Sequence, residues 1–237
     1  AENIIAELKE MPNVTVKNRS QVFGYYDHNM LVMTEKISDH LPQTKKYHPK
    51  QRLWYIRAKE ALISSGSIER PLVFGNNDTP GVMLSSAAKE YIKVYGVLVG
   101  KKPLIFTNND SGYETAIEFK KNGVEPIILD TRKEPNSETI DEAKNLGIQI
   151  KFSYVVVSAK GYKKVNAAEI AKISDNKNDI GVLENINCDC ICVSGFWTPT
   201  IHLASQSGNK TKFDKDIDAF VPGVSKQNET TLGAANG

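Results

Sequence analysis

Residues 103–130 read PLIFTNNDSGYETAIEFKKNGVEPIILD, and the order of patterns within them decides the fold. PLIFT (103–107) is a short apolar run with the length of a buried strand. NNDSG (108–112) is turn chemistry, YETAIEFKKNG (113–123) carries apolar residues at helical spacing, and EPIILD (125–130) is a second buried strand. The order is β-α-β. Working outward, SETIDEAKNLG (137–147) predicts a second helix with Ser137 as its N-cap and a carboxylate nearby, leading into a strand at IQIKF (148–152). YVVVSAKG (154–161) and YKKVNAAEI (162–170) face each other as a hairpin across Lys160-Gly161. Beyond a polar stretch at 174–178 comes CDCICVSGFWTPT (188–200), a strand apolar on both faces, with the three cysteines on one face and Ile191 and Val193 on the other. Strand–helix alternation with inserted hairpins predicts an α/β fold, parallel sheets carrying antiparallel excursions.

Towards the N-terminus the patterns change. Ile4, Ile5, Leu8 and Met11 predict a helix that stops at Pro12-Asn13, with a strand expected in VTVKN (14–18). SQVFGYYDH and MLVMTEKI read as an antiparallel pair turning at Asp27-His28-Asn29. Residues 38–51 are polar, with a basic cluster of Lys45, Lys46 and Lys50, then Arg52; a solvated loop is the simplest reading and anion binding the alternative. RLWYIRAKEALISSG (52–66) predicts two strands broken at 58–60, the second ending in Ser64, Ser65 and Gly66. A helix is expected over Val82–Tyr95, ending at Gly96. PTIHLASQSG (199–208) predicts a helix carrying His202, and FVPG with TTLGAANG a short strand and a glycine-flanked turn.

Composition narrows the classes. With 30 Lys+Arg against 28 Asp+Glu, a net charge of +2 and 40% hydrophobic residues, the 237-residue chain reads as a soluble globular protein. Neither the charge nor any aromatic–basic stripe points to nucleic acid, and the longest apolar runs are far below the ~20 residues that span a bilayer. Cys188, Cys190 and Cys192 alternate within one segment and offer neither a disulfide framework nor a CxxC knuckle, so core packing and a reducing cytoplasm are the expectations.

A dinucleotide-binding β-α turn needs three glycines and an acidic residue ~20 positions on. Here the glycine positions fall on Thr107, Asn109 and Gly112, while Asp130 holds the strand end expected for the ribose ligand. Only the third glycine is present, and Asp110 places a negative charge where a phosphate would meet the positive end of the helix. His202 reads as a hydrogen-bonded structural histidine more readily than as a catalytic one. Asp27-His28 is a possible base-plus-orienter pair, or simply turn geometry.

Four blocks, FGYYDHN (23–29), SSGSIERPLVFGNNDTPGVMLSSAAKEY (64–91), FTNNDSGY (106–113) and VSGFWTPTIHLASQSG (193–208), resemble the alpha subunits of heterotetrameric sarcosine oxidases, and the match runs through essentially the whole chain. The resemblance implies two FAD/NAD(P)-binding-type, three-layer β/β/α Rossmann-like domains related to the pyridine nucleotide-disulfide oxidoreductases. Residues 1–97 and 182–237 would be the remainder of an incomplete first domain, and 98–181 an inserted second one. It implies an internal fragment, in keeping with the missing initiator Met, without the first glycine turn and without the folate-dependent aminomethyltransferase-like domain. The parent enzyme would oxidise sarcosine to glycine with production of hydrogen peroxide and pass the one-carbon unit to tetrahydrofolate. NAD would lie in the alpha subunit, and the flavins FAD and FMN would not be held by this chain alone. Beta, gamma and delta subunits are the implied partners, with self-association of the fragment as a further expectation. Candidate cofactor contacts are Ser65, Gly66, Arg70, Gly233 and Ala234, with Asp130 and Gly112 in the second unit; no catalytic residue and no metal ligand is expected. The alternatives are an independent NAD(P)- or FAD-dependent reductase-like protein and a subunit-assembly module.

Overall fold

The computed structural model describes residues 2–174 and 179–237, so most of the polar stretch 174–178 lies outside the described residues. The chain forms two compact units, Ala1–Ser67 with Pro199–Gly237, and Ile68–Thr198.

The first unit opens with helix α1 (Glu2–Glu10), followed by strands β1 (Ser20–Tyr26), β2 (Met30–Lys36) and β3 (Gln51–Arg57), which form an antiparallel sheet in that order. Residues 14–18 form no strand. Alternation makes a strand only where a neighbour completes its hydrogen bonds, and these largely exposed residues have none. The β1–β2 turn falls at Asp27-His28-Asn29 as its composition predicts, with His28 and Asn29 both at positive φ (60° and 50°). Strand β4 (Ala61–Ile63) follows the break at 58–60, and β5 (Ser67–Glu69) carries the chain out of the unit.

In the second unit, β6 (Val82–Leu84) leads into α2 (Ser85–Tyr95), then β7 (Pro103–Thr107), α3 (Ser111–Lys121), β8 (Ile127–Asp130), α4 (Glu138–Asn145) and β9 (Gln149–Phe152). The antiparallel strands β10 (Tyr154–Gly161), β11 (Val165–Lys172) and β12 (Glu184–Asn187) follow, then β13 (Cys190–Ser194) and β14 (Trp197–Pro199). Strands β6, β13, β7, β8 and β9 lie in that order in a parallel sheet. Val82–Leu84 was expected within the helix. It pairs instead with Ile191–Val193, because a short apolar run is locally ambiguous and a free sheet edge decides it. Ser137 caps α4 as expected, its hydroxyl accepting from the Ile140 N–H.

The parallel sheet is buried on both faces, which makes the unit three-layered. Ile105, Ile128, Cys190 and Cys192 pack under the helices against Ala88, Ala116, Phe119 and Ile140. Leu104, Phe106, Leu129, Ile191 and Val193 pack on the other side against Val156, Ala168 and Ile170 of β10 and β11. Cys188 packs with this second set, so the three cysteines do not share one face: Cys188 precedes β13 and is outside its alternation. This body extends beyond the 98–181 expected for an inserted domain, because β6 and β13, remote in sequence, complete its central sheet.

The chain then returns to the first unit with α5 (His202–Gln206), the hairpin β15 (Thr211–Asp214) and β16 (Ala219–Pro222), β17 (Glu229–Thr231) and a 3-10 turn at Gly233–Ala235. Strand β17 pairs parallel with β4. Tyr25, Ala61, Ile63 and Ala204 form a small core with Leu31 and Leu203.

Candidate functional site

Ligands in α/β folds gather at the carboxyl ends of parallel strands, and each unit has such an edge. In the second unit Thr107, Asp130 and Ser194 end β7, β8 and β13, and all three are buried. The turn joining β7 to α3 is filled by its own side chains. Asn109 donates through Nδ2 to the Ser194 carbonyl at 3.2 Å, and its Oδ1 accepts the Ser111 N–H at 2.9 Å. The Thr107 hydroxyl donates to the Asn109 carbonyl at 2.7 Å and accepts the Asn109 N–H at 3.1 Å. Trp197 Nε1 donates to the Ser111 hydroxyl at 2.8 Å.

Gly112 plays the part of a third fingerprint glycine, close packing of helix on strand. A Cβ there would meet Thr107 Cβ at 2.7 Å and Oγ1 at 2.8 Å. Asp130 stands at the strand end where an acidic residue was expected, but it has no exposed surface. The Tyr113 hydroxyl donates to its Oδ2 at 2.7 Å, the Arg132 backbone N–H to Oδ1 at 2.8 Å, and the Arg132 guanidinium reaches Oδ2 at 2.8 Å. Arg132 also pairs with Asp110 at 2.8 Å, joining the turn to the end of β8. Burial first, then the hydrogen bond to Asp130, raises the Tyr113 hydroxyl well above its ordinary pKa. Burial works against the Arg132 charge, yet its bonds to Asp130 and Asp110 hold its pKa above the ordinary value. In this conformation the Asp130 carboxylate has no free oxygen facing a ribose.

The first unit offers a more open edge. Strands β4 and β17 run parallel, and the residues that follow them are Ser64-Ser65-Gly66 and Leu232-Gly233-Ala234. The Leu232 N–H donates to the Ile63 carbonyl at 2.8 Å, drawing the two strand ends together. Gly66 and Gly233 are both in the left-handed region (φ 72° and 63°), where glycine is unstrained. A Cβ on Gly233 would meet only the Ser64 hydroxyl, at 3.9 Å, so its backbone is open to close approach. Ser65 donates to the Thr200 carbonyl at 2.7 Å. The structure therefore brings Ser65, Gly66, Gly233 and Ala234 to one edge, while Gly112, packed on Thr107, and Asp130, bonded to Tyr113 and Arg132, lie in the other unit. Arg70 also lies in that other unit, its backbone bonded to Phe196 and Gly195.

At the opposite, amino ends of β4 and β17 lies a polar network that the sequence did not announce. The Tyr25 hydroxyl donates to Asn29 Oδ1 at 2.8 Å, and Asn29 Nδ2 donates to the Asn228 carbonyl at 2.8 Å and to the Lys59 carbonyl at 3.3 Å. Asn209 donates to the buried Glu229 carboxylate. Burial, with Glu229 alongside, pushes the Tyr25 hydroxyl up to about 12. Asn29 is thus a buried hub, and its neighbour His28 is exposed at the hairpin tip. The turn signature was legible; the partners from residues 207–229 were not. His202 is exposed in the first turn of α5. All three cysteines are buried, and burial, then Cys190 and Asp189, pushes the Cys188 thiol up to about 12. Among the described residues no group of three His, Cys, Asp or Glu could hold a metal ion, and no helix is long and apolar enough to cross a membrane.

A parallel sheet covered by helices on one face and by an antiparallel sheet on the other, with a β-turn-α unit at its centre, defines the FAD/NAD(P)-binding fold of the pyridine nucleotide-disulfide oxidoreductase type. Solved structures agree. L-proline dehydrogenase from P. horikoshii superposes with a TM-score of 0.63 at 20% identity, over 99% of this chain and 39% of that one. Bacillithiol disulfide reductase from Staphylococcus aureus gives 0.64 at 13% identity, over 99% and 66%. T. acidophilum thioredoxin reductase gives 0.60 at 16% identity, over 79% and 61%. No protein-family model matches the chain. Its sequence nonetheless places it among the alpha subunits of sarcosine oxidase: it is 38% identical to that subunit from Rhizobium meliloti (strain 1021) over 97% of its length, and 31% identical to that from Corynebacterium sp. (strain P-1) over 98%. The chain spans only 22% and 24% of the length of these relatives.

Proposed function

We propose that the chain is a dinucleotide-binding and scaffolding region of the alpha subunit of a sarcosine oxidase complex, without a complete active site of its own. The complex would oxidise sarcosine to glycine, reduce oxygen to hydrogen peroxide and transfer the one-carbon unit to tetrahydrofolate, in the cytoplasm. The observation that carries the reading is the similarity to sarcosine oxidase alpha subunits along nearly the whole chain.

Within that reading NAD is the proposed ligand of the open edge after β4 and β17. Ser65, Gly66, Gly233 and Ala234 supply accessible backbone and a hydroxyl, the chemistry that accommodates a pyrophosphate or ribose at strand ends. Residues 1–97 and 182–237 are proposed to descend from a first nucleotide-binding domain and 98–181 from a second. Gly112 and Asp130 shape the turn of the second, and Arg70, which belongs to the Ile68–Thr198 unit, is proposed as a separate cofactor contact. FAD and FMN are assigned to the assembled complex. Beta, gamma and delta subunits are the proposed partners. In their absence we expect self-association through the outer edge of β3, where Leu53 and Tyr55 are 49% and 69% exposed; a clean monomer on size-exclusion chromatography would count against it. Disulfide reduction, named for the Staphylococcus aureus neighbour, is not proposed, because the chain has no CxxC pair.

Calorimetric titration with NAD and, separately, FAD tests the assignment. Saturable NAD binding that is lost in both Gly233→Val and Ser65→Asp is the expected result. No NAD binding, or binding indifferent to both changes, overturns it.

A further inference from the structure

One end of the β1–β2–β3 sheet carries chemistry not used above. The Lys36 N–H donates to the Arg19 carbonyl at 2.9 Å, and the Ile37 and Ser38 N–H groups donate to the Lys50 carbonyl at 2.9 and 3.1 Å. Three positions bearing cations are thereby laced side by side. A cleft of about 430 Å3 opens at this end, lined by Arg19, Ser20, Gln21, Thr34, Lys36 and His40. Its volume is in the range of small-molecule sites, roughly 300–1,000 Å3.

The nearby acids are engaged elsewhere. Glu35 accepts the Trp54 indole N–H at 2.7 Å and pairs with Lys17 at 3.4 Å and Arg52 at 3.7 Å. Asp39 accepts from Gln51 at 2.7 Å and lies 4.0 Å from His40 Nδ1. Among the described residues, neither Arg19 nor Lys36 has a carboxylate within ion-pair distance. Arg52 shares Glu35 with Lys17 and Lys46 lies over the Tyr47 ring, 5.1 Å from its centroid, whereas the cations facing the cleft, Arg19 and Lys36, are outside the basic cluster legible in the sequence.

We propose that this cleft binds a compact polyanion carrying two or more adjacent negative charges on phosphate or carboxylate groups. Arg19 supplies a planar donor fork suited to paired anionic oxygens, and Lys36 a mobile point charge. The Thr34 hydroxyl, the Gln21 amide and the His40 ring add directed donors along the wall. A single charge at so open a site would gain little over water, and multivalency supplies the affinity. A long acidic peptide fits less well, because Arg52, the cation at the start of β3, is already paired with Glu35.

The test is calorimetric titration of the whole chain with tripolyphosphate and with citrate at 50 mM NaCl, repeated on R19Q/K36Q and on K45Q/K46Q. We expect one saturable site for at least one probe, weakened at least tenfold in R19Q/K36Q and less than threefold in K45Q/K46Q. Tenfold corresponds to about 1.4 kcal/mol. The tighter of the two probes identifies phosphate or carboxylate as the source. Binding of neither probe, equal loss in both variants, or tighter binding of hexaglutamate than of both probes overturns the proposal. Should R19Q/K36Q fail to fold, K36Q alone gives the same reading at about threefold. NAD binding is followed in parallel, so failure of this site and failure of the dinucleotide assignment are distinguishable.

Discussion

Replacing Arg132 by methionine should destabilise the Ile68–Thr198 unit and leave the other unit unchanged. The change removes the guanidinium contacts to Asp130 at 2.8, 3.1 and 3.2 Å and the 2.8 Å contact to Asp110. Asp130 has no exposed surface, so it keeps only the Tyr113 hydroxyl and the Arg132 backbone N–H to balance a buried charge. Breaking a buried pair on one side costs about 3–5 kcal/mol. The Arg132 side chain is 31% exposed, so water enters where it leaves, and the lower end, ~3 kcal/mol, is the expected loss. The chain has two tryptophans, Trp54 in the first unit and Trp197 in the second, so each unit carries its own fluorescent reporter. Urea unfolding of W54F/R132M against W54F should lower the Trp197 midpoint, and W197F/R132M against W197F should leave the Trp54 midpoint in place. Adding D130N removes the stranded charge and should recover more than half of the loss. A loss below about 1 kcal/mol, or no recovery with D130N, would refute the reasoning, since the carboxylate would then not depend on its partner.

Two further outcomes follow from the same geometry. Gly112→Ala should destabilise the second unit by ~2 kcal/mol, because overpacking against Thr107 exceeds the helix-propensity gain of alanine; a neutral or stabilising change in the Trp197 transition would show that α3 is free to move off β7. The Tyr25 proton is held more tightly in the folded chain. Its contribution is therefore complete below pH ~10 and is lost as pH rises from about 10 to about 12, on the order of 2 kcal/mol. Stability followed by Trp54 between pH 9.5 and 12 should fall more steeply in the parent chain than in Y25F, and parallel curves would dissociate Tyr25 from that loss.

The parts of the fold legible in advance were those whose causes are local. PLIFT, the 113–123 pattern and EPIILD became β7, α3 and β8, because period and length distinguish a buried strand from an amphipathic helix within a few residues. The Asp27-His28-Asn29 turn followed from residues that tolerate positive φ, and the Ser137 cap from a hydroxyl bonding to backbone three residues on. Gly66 and Gly233 were legible as glycines at strand ends. That they share one edge depends on the parallel pairing of β4 with β17, which joins residues more than 160 positions apart.

What the sequence could not supply was partners. Val82–Leu84 is a strand only because β13 presents an edge to it, and 14–18 is not a strand because nothing does. Asp130 read as a ribose ligand because its place after β8 is right; Arg132, Tyr113 and Asp110 close it off, and their convergence is a property of the folded turn. Lys45, Lys46 and Lys50 lie in an exposed loop as their composition suggests, whereas the meeting of Arg19 with Lys36 at one sheet end was not legible, because the two are 17 positions apart. Sequence determined the class of fold, through periodicity, turn chemistry and blocks shared with the sarcosine oxidase alpha subunits. Tertiary structure decided which polar groups face each other and which stay open, because burial and pairing are set by residues distant in the chain.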